Sequence, residues 1–435
     1  MAAGTTTRAV LRGLVSENLD DSLSLTSTAT GNTLTLVDTS LSEHSGGDDD
    51  FCENWYVLIT ESGHTAEGEV RRITGYVEST NTLTVSAAFS ATTGSGSAYE
   101  LHVLDPVKKH AAIKRAVSQI SPVLYLPLVD DSLIVDNRVT NGLFDTFASS
   151  SFTGWTLAGA GAAEAQETTI VWEGDNSCKL TSASAGLTQS QTINFALPID
   201  QLIGTQAKFT CWVHATVADI AKISIDWDGG TTISSSTLHT GVDQWEELEV
   251  DVTVPAGATQ LVIVLNVATG TNIGIFDRAV LHVAGNVSRY TIPAAFKDEP
   301  NQVLVQQYVS PSDGSFVPAG PYALPARGLK LRLLGRGELT NPTTETGTVE
   351  VGGSRAELLS YKATELYFQS IARSPVSSAY ERNRAIEDAM YWKGVTIAKG
   401  MEPGVRMVAP PTDELEEVLH FEETASGRFL VLDGR

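Results

Sequence analysis

The chain has 435 residues, more than one ordinary domain of ~100–200 residues accommodates, and 42% of them are hydrophobic, enough for packed cores. Its formal net charge of -23 opposes sequence-independent attachment to DNA or to an acidic membrane surface, so neither nucleic acid nor a membrane is expected as a direct partner. Cys52, Cys178 and Cys211 are far apart and show no CxxC spacing, which signals neither a disulfide framework nor a zinc site and leads us to expect buried free thiols.

The N-terminus, MAAGTTTRAV, lacks the apolar centre of a signal peptide, and no apolar run reaches bilayer-spanning length, so a soluble protein made in a reducing compartment is expected. In residues 8–19, Leu11, Leu14, Val15 and Leu19 recur near helical spacing and predict a short leading helix. Alternating pieces at 32–38 and 55–60 read as strands, and GEVRRITGYVESTNTLTVSAAF at 68–89 reads as a hairpin with a loop of four or five residues. Adjacent Arg71 and Arg72 must then point to opposite sides of their strand, which argues against one shared anion pocket and for an edge available to a neighbouring subunit. The acidic run SGGDDDF at 45–51 is either a solvated loop or a cluster of oxygen ligands for calcium, without EF-hand spacing.

Asp105 and Pro106 form an N-cap and first-turn proline for a helix whose predicted apolar stripe is Val107, Ala111, Ile113, Val117 and Ile120. Lys108, Lys109, Lys114 and Arg115 form a basic patch on it, either a solvated face or a contact for an acidic partner subunit. From about 140 to 290, Lys and Arg become scarce and short alternating segments such as AKFTCWVHAT and WEELEVDVTVP recur between turn signals, predicting a two-sheet sandwich. Strand-like segments follow, and then two periodic helices near 354–373 and 377–399, separated by Ser374-Pro375, predict a helical hairpin. P-loop, HExxH, G-x-S-x-G and strand-linked GxGxxG motifs are missing, and the few histidines are isolated, so no enzymatic activity is expected.

The stretches NGLFDTFASSSFTGWTL at 141–157, GDNSCKLTS at 174–182, WEELEVDVTVPAGATQLVIVL at 245–265 and IFDRAVLHV at 275–283 resemble the galactose-binding-like jelly rolls, which include many carbohydrate-binding modules. The resemblance implies a jelly-roll sandwich and a candidate structural calcium held by Asp145, which stands where the family usually has Glu, and Asp277 on the last strand. It places Trp155 and Trp245 in the core. Trp172 and Trp227 lie outside its motifs and are either rim or buried aromatics or platforms for a sugar ring.

TTTRAVLRGLVSENLDD, the GEVRRITG strand, TLTVSAAFSATTGSGSAYEL, AAIKRAVSQISPVLYLPL and the helical segment at 362–392 resemble virion structural proteins of the neck or tail of tailed bacteriophages. Together the two resemblances imply a multidomain, β-rich α+β protein: residues 1–139 and 291–435 form one mixed body, and residues 140–290 form an inserted antiparallel sandwich. The implied role is a non-enzymatic virion component, made in the host cytoplasm and assembled as a ring at the neck or tail. Its expected partners are other copies of itself and portal, neck or tail proteins, with Arg71, Arg72, Lys108 and Lys109 as assembly-interface candidates. The alternatives are an adhesion protein recognising host surface glycans, and a hydrolase carrying a binding module.

Overall fold

A computed structural model describes residues 4–121, 123–159, 161, 163–183, 186–193, 199–283, 289–309, 315–319, 326–375, 377–402, 405, 419–424 and 427–432. The chain divides into two compact units, residues 1–126 with 337–408, and residues 127–336 with 409–435. The divisions fall at 126 and 336 rather than at the expected 139 and 290, so the strands Leu126–Ile134, Gln302–Gln306 and Lys330–Gly337 go with the sandwich instead of the mixed body. Alternation identifies such segments as strands but carries no information on which sheet they join.

The first unit combines helices with a six-stranded sheet in the order Ser22–Thr26, Ala98–His102, Tyr56–Ile59, Val70–Val77, Thr82–Val85, Thr35–Val37. The helix Arg8–Leu19 starts at Thr7, whose hydroxyl accepts the Val10 N–H, and ends at Asp20 in the left-handed region. Asp105 caps the helix Pro106–Gln119 by accepting the Val107 N–H at 2.9 Å. That helix buries Lys109, Ala112, Ile113, Ala116 and Val117, whereas Val107 is 55% exposed. The stripe predicted from sequence therefore mixed two faces; the i, i+3, i+4 set that turns inward starts from Lys109. The helices Ser354–Ala372 and Ala379–Gly400 form the expected hairpin, and the second opens with a capping box between Ser378 and Glu381. Leu11, Val15, Ile113, Leu359 and Leu366 join one core, and Val57, Ile73, Leu83 and Leu101 of the sheet join another.

The hairpin Val70–Val77/Thr82–Val85 turns through Asn81 in the left-handed region and carries a bulge between Ile73 and Gly75. Asp49 and Asp50 accept the Glu78 and Tyr76 N–H groups, both at 2.8 Å. The acidic run is thus a loop whose Asp49 and Asp50 satisfy hairpin amides.

In the second unit, ten strands form a two-sheet antiparallel jelly roll. One sheet orders Thr156–Ala158, Leu187–Thr192, Val262–Val267, Ala221–Asp226, Ile233–Ser235, and the other Ala163–Glu167, Ser177–Thr181, Ile273–Val283, Gln206–Ala215, Gln244–Thr253. Between them lie Phe144, Trp155, Phe209, Val213, Ile223, Ile263, Leu265 and Phe276, all within one core. The incoming segment runs beside the last strand: the Arg138 N–H donates to Leu281 O at 3.1 Å, and the Asn137 amide bridges Ala279 O and the Leu281 N–H. The sandwich therefore opens and closes at one place, which lets it interrupt the rest of the chain. A four-stranded and a three-stranded sheet complete this unit around Val303, Leu331, Leu333 and Leu430.

Candidate functional site: a tryptophan cluster on the sandwich

Alternation along Gln206–Ala215 sends Ala207, Phe209, Cys211, Val213 and Ala215 into the core and Lys208, Trp212 and His214 to the outer face of the sheet. The adjoining edge strand places Leu248 and Val250 inward and Trp245, Glu247, Glu249 and Asp251 outward. Antiparallel register pairs Trp212 with Glu247 on one side and Asp277 on the other, and His214 with Trp245. Two tryptophans are thus on one face through register alone.

Trp172 arrives from the loop before Ser177–Thr181. Its backbone N–H donates to Asp277 Oδ2 at 2.8 Å, the Glu173 N–H to the same oxygen at 3.1 Å, and the Arg278 N–H to Oδ1 at 2.7 Å. So anchored, the Trp172 indole lies flat on Trp212, with centroids 3.6 Å apart and planes 11° from parallel, and meets Trp245 edge-on at 6.1 Å. His214 packs against Trp245 at 5.5 Å, and its Nε2 is 3.4 Å from Asp243. The three tryptophans are half-buried. The Nε1 atoms of Trp172 and Trp212 and the Nδ1 atom of His214 are buried without a hydrogen-bond partner. Such groups carry an uncompensated desolvation cost until something bonds to them.

Beneath the loop, the Glu173 carboxylate is completely shielded from solvent and bonds Arg278 Nε at 2.7 Å and Gln306 Nε2 at 2.8 Å, with Lys330 Nζ at 3.3 Å. Next to it, Asp145 accepts the Asp175 N–H at 3.1 Å. Gly174 is in the left-handed region, and a Cβ there would stand 2.9 Å from Asp145 Oδ1, so the turn requires glycine. Burial raises the Asp145 carboxyl to about 6; burial also raises Asp277, with Asp145 adding to the effect, to about 8.

Asp145 and Asp277 are therefore brought into one electrostatic neighbourhood, but they do not fit the calcium expected of them. Calcium takes about 6–8 oxygen ligands, and both Asp277 oxygens are committed to backbone N–H donors whose dipoles repel a cation. Among the described residues no cluster of three or more His, Cys, Asp or Glu side chains is formed.

Of the two expected sugar-stacking residues, Trp172 is on the outer face and Trp227 is not. Trp227 is 0% exposed in the sandwich core, where its Nε1 donates to Ser234 Oγ at 3.1 Å, so no ligand reaches either ring face. Trp245, expected in the core, is instead on the outer face. Trp212 and Trp245 were legible as site residues only from their phase: each occupies the solvent-side position of its alternating strand.

In the first unit, Arg71 bonds Glu69 at 2.7 Å and its guanidinium lies 5.4 Å from the Phe89 ring centre, while exposed Arg72 donates to Asn54 Oδ1 at 2.6 Å. Lys108 is exposed beside a cleft of about 660 Å³ that also contains Arg384, Tyr391 and Trp392. Lys109 is withdrawn from any interface: it is wholly buried, with Nζ 2.6 Å from Asp21, 2.8 Å from Ser16 Oγ and 2.9 Å from His102 Nδ1. Its neighbour in this buried polar layer is Arg12, paired with Glu100 and Glu345.

No family model and no curated protein sequence matches the chain. Among solved structures, the enzymatically active domain of bacteriophage CBA120 tailspike protein 4 is similar at 17% identity over 34% of this chain and 22% of that one, with a TM-score of 0.28. A family 22 carbohydrate-binding module of Clostridium thermocellum Xyn10B is similar at 18% identity over 35% of this chain and 98% of the module, with a TM-score of 0.28. The module TmCBM61, solved with β-1,4-galactotriose, is similar at 16% identity over 34% and 99%, with a TM-score of 0.26. Each likeness spans about a third of this chain, and this chain spans about a fifth of the tailspike domain. The chain's own strand order shows the two-sheet antiparallel jelly roll.

Proposed function

We propose that the sandwich binds a carbohydrate on the outer sheet face that carries Trp212 and Trp245, where Trp172 is stacked, without cleaving it. The observation that carries this reading is the grouping of three half-buried indoles on one sheet face, with the Nε1 atoms of Trp172 and Trp212 and the Nδ1 atom of His214 unpartnered among the described residues. An indole face takes the C–H face of a sugar ring. His214 Nε2 is 3.4 Å from Asp243, and with the proton on Nε2 the buried Nδ1 is an acceptor beside two indole donors, a combination that hydroxyl groups, both donors and acceptors, can satisfy. Glu247, Glu249 and Asp251 on the adjoining strand favour neutral glycans over uronate-rich ones. Xylan and β-1,4-galactan oligosaccharides, ligands named for similar modules, are suitable first probes for calorimetry. Trp245→Ala should weaken binding at least ~10-fold, as loss of a stacking aromatic does at a hot spot, and product analysis should find the sugar intact. Failure of the wild-type protein to bind any neutral oligosaccharide in a broad glycan panel would overturn the reading.

A second reading, that the chain is a virion component assembling with copies of itself in a ring at the neck or tail, is favoured by the helix Ala379–Gly400. Ile386, Met390, Ile397 and Met401 form a stripe along it, with Met390 69% exposed. Arg382 flanks one side and Glu387 the other, so the same helix of a second copy, laid parallel, would bring opposite charges together. Sedimentation of wild type against Met390→Glu checks this: association is expected in the wild type alone, and two equally monomeric proteins over the accessible concentration range would count against it. Such rings would present the sandwich to a host glycan many times over.

A further inference from the structure

We infer that Trp172 is a displaceable cap on the sugar platform, occupying the Trp212 face that a sugar ring takes when it binds. The inference rests on the carbohydrate-binding reading of the same site.

The Trp172–Trp212 pair is unusually disposed. Aromatic pairs favour offset or edge-to-face arrangements with centroids ~4.5–7 Å apart over a face-to-face sandwich, yet these rings are 3.6 Å apart and 11° from parallel. Both indole N–H groups in the stack are also buried without an acceptor. The stacking distance is that of a ligand ring lying on its platform. Trp172 therefore covers Trp212 in a geometry that gives up quadrupole complementarity and leaves two donors unsatisfied.

The attachment of Trp172 allows it to leave. Its main chain is fixed by the bond from its N–H to Asp277 and by the neighbouring Glu173, whose carboxylate is bound by Arg278 and Gln306. Its Nε1 has no hydrogen-bond partner among the described residues. Rotation about the side-chain torsions alone would uncover Trp212 and leave the loop in place. The freed Nε1 atoms could then meet solvent or sugar hydroxyls.

The equilibrium between capped and open platforms lowers the apparent affinity by the open fraction, so a cap closed nine-tenths of the time costs ~10-fold. Calorimetric titration of the full chain with the oligosaccharide that binds the wild type best tests this, using Trp172→Ala, Trp172→Phe and Trp212→Ala. The cap predicts that Trp172→Ala binds as tightly as wild type or up to ~10-fold tighter, and that Trp212→Ala loses binding. It also predicts that the exciton-coupled near-ultraviolet dichroism of the stacked pair collapses as wild-type protein is saturated. If Trp172→Ala and Trp172→Phe both bind more weakly than wild type while the dichroism persists on saturation, the cap is refuted and the sugar reading stands. If wild type and every Trp172 variant fail to bind, both fall together. Binding by Trp172→Ala but not by wild type would support the cap in its strongest form.

Discussion

At the scale of single residues, burial decides the fate of the charged and aromatic side chains. Lys109 is enclosed with Asp21, Ser16 and His102, so Lys109→Met leaves the Asp21 carboxylate without its cation inside the fold. Breaking a buried pair this way costs about 3–5 kcal/mol, and urea unfolding of the first unit should register it, whereas Lys108→Met at the exposed neighbouring position should change little. Asp145 and Asp277 make an opposite kind of statement. Their raised folded values, about 6 and about 8, mean that the native state keeps protons the unfolded chain has released above about pH 4. Stability contributed by the protonated pair is therefore complete at low pH and declines as pH rises through about 6 and then about 8. Thermal unfolding of the sandwich should occur at lower temperature at alkaline than at mildly acidic pH, and Asp145→Asn should remove the lower part of that slope; equal slopes in both proteins would contradict the assignment. The sequence could not separate Trp172 from Trp227, because a tryptophan near a turn is compatible with either side of a sheet and only strand phase and loop path resolve it.

At the scale of elements, local signals carried most of the secondary structure. The Asp105-Pro106 start, the Ser378–Glu381 capping box and the hairpin around Glu78–Thr80 all depend on contacts within a few residues, which is why they are readable in sequence. Ser378→Ala should cost ~0.5–2 kcal/mol, the usual value of an N-cap; amide exchange should quicken at the start of the helix Ala379–Gly400 and leave the sandwich unchanged. The tryptophan face was less legible because it depends on register between Gln206–Ala215, Gln244–Thr253 and Ile273–Val283, strands separated by long stretches of chain. The same edge strand carries Glu246, Glu247, Glu249 and Asp251, with Glu249 bonded to Lys208 at 2.7 Å, and this row of charge discourages unwanted strand addition.

For the whole molecule, composition indicated several domains and local pattern indicated a sandwich, but the chain's exchange between units was read only approximately. Strands Leu126–Ile134 and Lys330–Gly337 are neighbours in one sheet, so the chain passes into the second unit and leaves it along adjacent paths. Ending the chain at residue 336 removes the helix Ser354–Ala372 from the core that holds Leu11, Ile113 and Leu124. Such a truncation should lose the cooperative unfolding of the first unit while retaining the near-ultraviolet signal of the jelly roll, whose core among the described residues lies within 139–283. Loss of both signals would show that the sandwich does not fold independently.

The same discontinuity sets a clock during synthesis. The helices Arg8–Leu19 and Pro106–Gln119 belong to a core that cannot close until the 210 residues from 127 to 336, and then the helix beginning at Ser354, have left the ribosome. At about 5–20 residues per second that wait lasts on the order of 10–40 s. Through that interval, the apolar faces of Arg8–Leu19 and Pro106–Gln119 have each other but not their third partner, and the jelly roll has time to form first. Order of emergence thus lets the inserted module fold before the helical core of the first unit, whose N-terminal helix is among the last elements to reach all its native contacts.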